Sequence, residues 1–180
     1  MLDSWIDTLK FIVNRFLFLE GLWPVLLRFL YLLSLSLWIG SMTFFSFMVA
    51  PSIFHTLPRE EAGKVVAAIF PKYYWQGAIC GIVALAVSIV LGTRTRWSNL
   101  LLLRVILLSL MLLGVLYSVV ILEPRIHAVK AQVSSWESVQ PTDLLRIEFG
   151  RLHARSFGVN AAVLLLGLIV LFLTAFTMKV

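Results

Sequence analysis

Cysteine occurs once in this chain, at Cys80. One thiol cannot form an intrachain disulfide, and inside an apolar run it reads as a small apolar residue. Charge is scarce as well, at 13% of the 180 residues, about half the share a soluble domain carries. No acidic residue falls deep inside an apolar run, which argues against a proton-coupled pump built on an intramembrane carboxylate. A glycine-rich phosphate loop, a Cys-x-x-Cys and a His-Glu-x-x-His are all missing, so nothing points to the chemistries they serve. No segment alternates in polarity every second residue, which excludes a transmembrane β-barrel.

What remains is hydrocarbon-seeking sequence, 61% hydrophobic. A bilayer core takes about 20 apolar residues in a helix. Four runs meet that length, at about 24–49, 74–92, 100–122 and 157–178. Lipid offers backbone groups no partners, so these runs must be helices. The fold class expected is an all-α membrane protein, a four-transmembrane-helix bundle over residues 23–180. Residues 1–22 read as an interfacial amphipathic helix. Leu2, Ile6, Leu9, Ile12 and Phe16 line one side of it, with Trp5 as an anchor. Acidic Asp3 and Asp7 precede any basic residue, unlike a secretory signal.

The loops carry helices of their own. After the first span, Pro58, Glu60 and Glu61 suit a first helical turn, and Pro71 is expected to stop that short helix. Between the third and fourth spans, Ile126, Val129, Val133 and Trp136 recur at helical spacing. SVQPTD at 138–143 is a turn, and from Asp143 a helical pattern runs into the fourth span. Spans three and four should therefore project beyond the membrane as an antiparallel helical hairpin. With a turn near 140–141, residues whose numbers add to about 281 face each other. His127 and His153, adding to 280, then lie at one height near the membrane boundary.

That level collects the candidate site. His55, His127 and His153, the chain's three histidines, all fall on the hairpin side, each near the end of a span. Glu123 stands one helical turn before His127. His153, Ser156 and Asn160 share a stripe of the fourth helix, flanked by Arg151 and Arg155. Imidazoles with a carboxylate suit a divalent metal, giving His127, His153, His55 and Glu123 as candidate ligands. Paired histidines also suit haem. Arg151 and Arg155 favour an anion such as a lipid phosphate, which makes Arg151, His153, Arg155, Ser156 and Asn160 a candidate ligand-binding set. Against both stands an ordinary explanation: membrane boundaries collect His and Arg, and Ser and Asn bond across helices.

Several stretches together resemble a known family. LSLWIGSMTFFSFMVAPSIFHTLPREEAGKVVAAIFPKYYW, VVILEPRI and FGRLHARSFGVN are similar to a bacterial four-helix membrane domain of unknown function. That domain is related to the vertebrate transmembrane protein associated with cisplatin resistance. The resemblance spans residues 30–178, with Trp38-Ile39-Gly40, Ala50-Pro51, Phe70-Pro71-Lys72-Tyr73 and Arg151-Leu152-His153 in the expected order. It implies the four-helix fold and carries almost no mechanism, since the family's members have no established catalytic activity. The Trp-Ile-Gly element also resembles copper-resistance-D-type and HemJ-type membrane proteins. Those place a histidine on the preceding turn, where this chain has Leu30-Tyr31-Leu32-Leu33-Ser34, which lowers the haem or copper reading.

The function expected is that of a non-enzymatic integral membrane protein, an accessory subunit of a larger assembly, with a histidine-containing pocket at the boundary. A haem- or metal-binding redox or transport protein using His127 and His153 is the alternative. Small residues four apart or nearly so, Gly77, Gly81, Ala84 and Ser88 in the second span, suit close helix packing, within the chain or in a homo-oligomer. The expected partners are the lipid bilayer and other membrane proteins; the net charge of +6 sits in loops and implies no nucleic acid. The expected location is a bacterial inner membrane. Seven basic residues fall on the side of the termini and eight on the other, and the tight TRTRW connection tips the termini to the cytoplasm.

Overall fold

The computed structural model describes residues 2–94, 97–133, 140 and 142–177, with side chains from residue 21 onward. The stripe expected on residues 2–16, Trp5 as an anchor, Trp136 and most of the 138–143 turn lie outside what it describes. The backbone of α1 runs from Leu2 to Phe44 as one helix with Pro24 inside it, so the N-terminal segment and the first span are continuous. A five-residue π-turn, Phe45–Val49, leads into α2, Ala50–Thr56. The chain turns at Leu57, and α3 then spans Arg59–Arg94. Next come α4, Asn99–Tyr117, a second π-turn at Ser118–Leu122, and α5, Glu123–Ala131. The last helix, α6, runs from Leu144 to Thr177.

Four of these stretches are long and apolar enough to cross a membrane: Gly21–Thr56, Arg59–Arg94, Asn99–Ala131 and Leu144–Thr177. The chain is a multi-pass, all-α membrane protein. They pack in a ring, α1 on α3, α3 on α4, α4 on α6, and α6 back on α1. Both described helix starts with a side-chain cap follow from sequence. Ser98 Oγ accepts from the Leu101 N–H at 3.2 Å, and Asp143 Oδ1 accepts from the Leu145 N–H at 2.8 Å.

Pro71 does not stop the helix that begins at Arg59; α3 passes straight through it. A proline removes one backbone hydrogen bond and crowds the preceding turn, which costs a free helix about 3 kcal/mol. Here Phe70, Tyr73 and Tyr74 around it pack against the core, and that packing outweighs the lost bond. Pro51 and Pro124 behave differently. Each follows a π-turn by two residues, with Ala50 N–H donating to Phe45 O and Glu123 N–H to Ser118 O. Widening the helix by one residue per turn relieves the clash of the ring with the carbonyl before it.

Trp38 fills the middle of the ring, 1% exposed, with Leu35, Leu108, Met111 and Val170 fully buried around it. The small residues of the second span are used here, since a Cβ on Gly77 or Gly81 would stand 2.9 or 2.8 Å from the Trp38 ring. Gly114 receives Val163, and Gly167 receives Ile39 and Met111. Small residues let backbones approach where no hydrophobic drive operates. The large exposed side chains, Phe47, Trp75, Phe157, Phe172 and Phe176 among them, face outward as lipid contact requires.

The hairpin register lies close to the expected one. Met111 meets Gly167, Gly114 meets Val163 and Lys130 lies over Phe149, pairs that add to 277–279 rather than 281. The offset is two to four residues, about one helical turn at most.

Candidate functional site

Polar side chains gather at the hairpin end of the bundle, one or two from each span. On α3, Tyr73 and Tyr74 follow Pro71 by two and three residues, and their rings join Phe45 and Phe70 in a cluster with centroids 5.2–6.1 Å apart. Ring packing on both faces leaves the hydroxyls to find partners across the bundle. Tyr73 donates to Asn160 Oδ1 at 2.6 Å, and Asn160 Nδ2 reaches Ser46 Oγ at 3.4 Å. Tyr74 shares a hydrogen bond with Ser156 Oγ at 3.1 Å, and its hydroxyl also faces Ser118 and Glu123. Ser46 and Ser118 both belong to the π-turns. Beside these groups lies a cavity of about 10 Å³, bounded by Trp38, Tyr73, Tyr74, Ser118 and Asn160. That is the room one water molecule needs.

Glu123 stands at the outer rim of this cluster. Its Oε1 is buried without a hydrogen-bond partner, and His127 Nε2 approaches it to 3.8 Å, too far for a hydrogen bond. A buried carboxylate oxygen left unbonded costs about 1–3 kcal/mol, a cost that a water or a protonated His127 at this position offsets.

The candidate residues read from sequence separate into five places. Ser156 and Asn160 point into the interior cluster. His153 is exposed and stacks on Phe149 of its own helix, at 6.0 Å. Arg151 and Arg155 are exposed on the outer face, where with Arg125 of α5 they line a groove of about 390 Å³. His55 ends α2, exposed. The structure joins Glu123 to His127, while among the described residues no three of His, Cys, Asp or Glu come together as a metal site.

Five participants escaped the reading of the sequence: Ser46, Tyr73, Tyr74, Ser118 and Arg125. The tyrosines look like interfacial anchors until the ring cluster fixes which way their hydroxyls turn. Arg125 carried a legible signal, because the hairpin rule that pairs His127 with His153 also sets Arg125 level with Arg155.

At the opposite end a smaller polar contact joins spans one and four, Tyr31 Oη to Thr174 Oγ1 at 2.9 Å. Arg104 lies beside it, with its Nε buried and unbonded.

A family model described as "Domain of unknown function (DUF4149)" matches residues 33–135. An "Uncharacterized protein" of Aquifex aeolicus (strain VF5) is 37% identical over 134 residues, which cover 74% of this chain and 86% of that protein. No solved structure matches. The family match takes in Ser46, Tyr73, Tyr74, Ser118, Glu123 and Arg125 and ends before α6.

Proposed function

We propose a function for a chain that belongs to the DUF4149 domain family: it is a non-catalytic membrane protein that works as an accessory, ligand-holding subunit. The observation that carries this reading is the interior cluster at the hairpin end. All four spans contribute to it, Ser46 from the first, Tyr73 and Tyr74 from the second, Ser118 from the third, and Ser156 and Asn160 from the fourth. Hydrogen-bonding groups inside a membrane bundle are expensive unless they hold helices or a guest together. Below them the core is dry, filled by Trp38, Leu35, Leu108 and Met111, so the polar end opens to one side only. The cavity has room for one water, and a larger guest needs the two π-turns to part, at positions where helices change register readily. Termini in the cytoplasm of a bacterial inner membrane, and kinship with the vertebrate cisplatin-resistance protein through the shared motif order, belong to the same reading.

The test is native mass spectrometry of the full chain extracted from its own membrane. A component bound at fixed stoichiometry, and lost in both Tyr73→Phe and Asn160→Ala, is the expected result. Turnover of a substrate by the purified chain would overturn the non-catalytic part.

The approach of His127 to Glu123 favours a second reading, a metal- or haem-binding protein using His127 and His153. An absorption spectrum and elemental analysis separate the two. A Soret band or stoichiometric metal that disappears in His127→Ala would replace the first reading with the second.

A further inference from the structure

The groove on the outer face of the hairpin has no part in the interior cluster, and its chemistry is of one sign. Arg125 projects from α5, and Arg151 and Arg155 from α6, all three exposed. Glu148 is, among the described residues, the one acid lining the groove, beside three guanidiniums. Among the described residues, none of the three arginines has a carboxylate within ion-pair distance. Leu144 and Ile147, both exposed, and the buried Leu152 line the rest of the groove. The volume, about 390 Å³, falls in the range of small-ligand sites.

Depth identifies the ligand. On α6 the apolar run begins at Phe157, so with a rise of 1.5 Å per residue Arg155 stands about 3 Å and Arg151 about 9 Å outside it. On the facing arm, Arg125 follows the buried Leu122 by three residues, about 5 Å. The headgroup layer of one leaflet is roughly 5–8 Å thick, the difference between the whole bilayer and its hydrocarbon core, halved. Arg125 and Arg155 therefore lie within that layer, and Arg151 reaches its outer edge. Arginine binds phosphate oxygens through paired N–H donors, and a set drawn from two helices can surround one group.

We propose that Arg125, Arg151 and Arg155 form a phosphate-binding site at the membrane boundary, whose ligand is a phosphate ester carried by an anionic lipid headgroup or by a soluble molecule.

The experiment uses the full chain in nanodiscs. Native mass spectrometry and tryptophan quenching measure retention of phosphatidylglycerol against phosphatidylcholine, and glycerol 3-phosphate is titrated in parallel. Each juxtamembrane arginine contributes roughly fivefold in affinity for an anionic surface. Arg125→Gln, Arg151→Gln and Arg155→Gln should each lower selective retention by about that factor, and the triple variant should abolish it. Arg94→Gln, at the far end of α3, should leave it unchanged. Because the three side chains are exposed, the helical content and melting of the variants should match the parent. Selectivity for phosphatidylglycerol that follows these arginines assigns the phosphate to lipid. Saturable glycerol 3-phosphate binding that follows them, without lipid selectivity, assigns it to a soluble ester. Neither ligand binding selectively, or selectivity that survives in the triple variant, overturns the proposal. A bound acidic protein displaced by none of these phosphates would overturn it as well.

Discussion

The indole of Trp38 occupies the space where a side chain on Gly81 would stand. A Cβ there would come 2.8 Å from one ring carbon and 2.9 Å from another, and the ring is 1% exposed with no room to retreat. Gly81→Ala should therefore destabilise the bundle. Overpacking a core costs about 1–3 kcal/mol, and alanine returns at most about 1 kcal/mol of helix propensity. Gly40→Ala is the control, because its Cβ would meet nothing within 4 Å. Unfolding in detergent should show Gly81→Ala less stable and Gly40→Ala equal or more stable; equal effects would mean that Trp38 is not tightly held.

The hydrogen bond from Tyr73 to Asn160 joins the second and fourth spans at 2.6 Å. Interhelical hydrogen bonds in membranes are worth about 0.6 kcal/mol on average and up to about 1.7. A double-mutant cycle with Tyr73→Phe and Asn160→Ala should give a coupling near the upper part of that range, since the pair is short and its tyrosine is half-buried in a ring cluster. The same cycle on Tyr74→Phe and Ser156→Ala, at 3.1 Å, should give less. Coupling near zero in both would strip the cluster of any role in holding the helices together.

Much of this was legible in advance, and the residues show why. The four runs, the Asp143 helix start and the hairpin follow from hydrophobic length, caps and period, which act locally. Which way Tyr73 and Tyr74 turn is a matter of ring packing between Phe45 and Phe70, residues from different spans, and no local rule contains it. The fate of the prolines shows the same limit. Pro71 is carried by its aromatic neighbours, whereas Pro51 and Pro124 each follow a π-turn. The sequence around each offers no sign of which will happen. Ser156 and Asn160 were placed correctly on one stripe with His153, but a stripe is about 100° wide. That width was enough to separate the exposed ring of His153 from the buried Ser156 and the half-buried Asn160.

Pro124 makes a prediction of its own. If the proline ring is what forces the π-turn at Ser118–Leu122, Pro124→Ala should let that stretch return to α-helix. Removing the extra residue from the turn rotates everything beyond it by about 100°. Lys130 would then leave the Phe149 ring, from which it now stands 5.8 Å. Spin labels on Lys130→Cys and Phe149→Cys, in a Cys80→Ala background, would report the separation with and without Pro124. An unchanged distance would show that packing against α6, rather than the proline, makes the turn.

Lys130 itself fastens three helices. Its ammonium donates to the Gly63 carbonyl of α3 at 3.3 Å and lies over the Phe149 ring of α6, while its stem belongs to α5. Each contact is modest, roughly 0.5–1.5 kcal/mol for the hydrogen bond and 0.5–1 for the cation over the ring. Their joint effect falls on α5, because α3 and α6 are each held by a full span of packing and α5 is nine residues long. Lys130→Met keeps the apolar stem and removes the charge, so it should loosen the hairpin arm by about 1 kcal/mol without touching the bundle. Hydrogen exchange is the measurement: amides of α5 should exchange about fivefold faster, those of α3 and α6 unchanged. Gly63→Ala should have no such effect, since its Cβ would meet nothing and its carbonyl stays in place. Exchange that rises equally across all four spans would mean that Lys130 supports the whole fold rather than the arm.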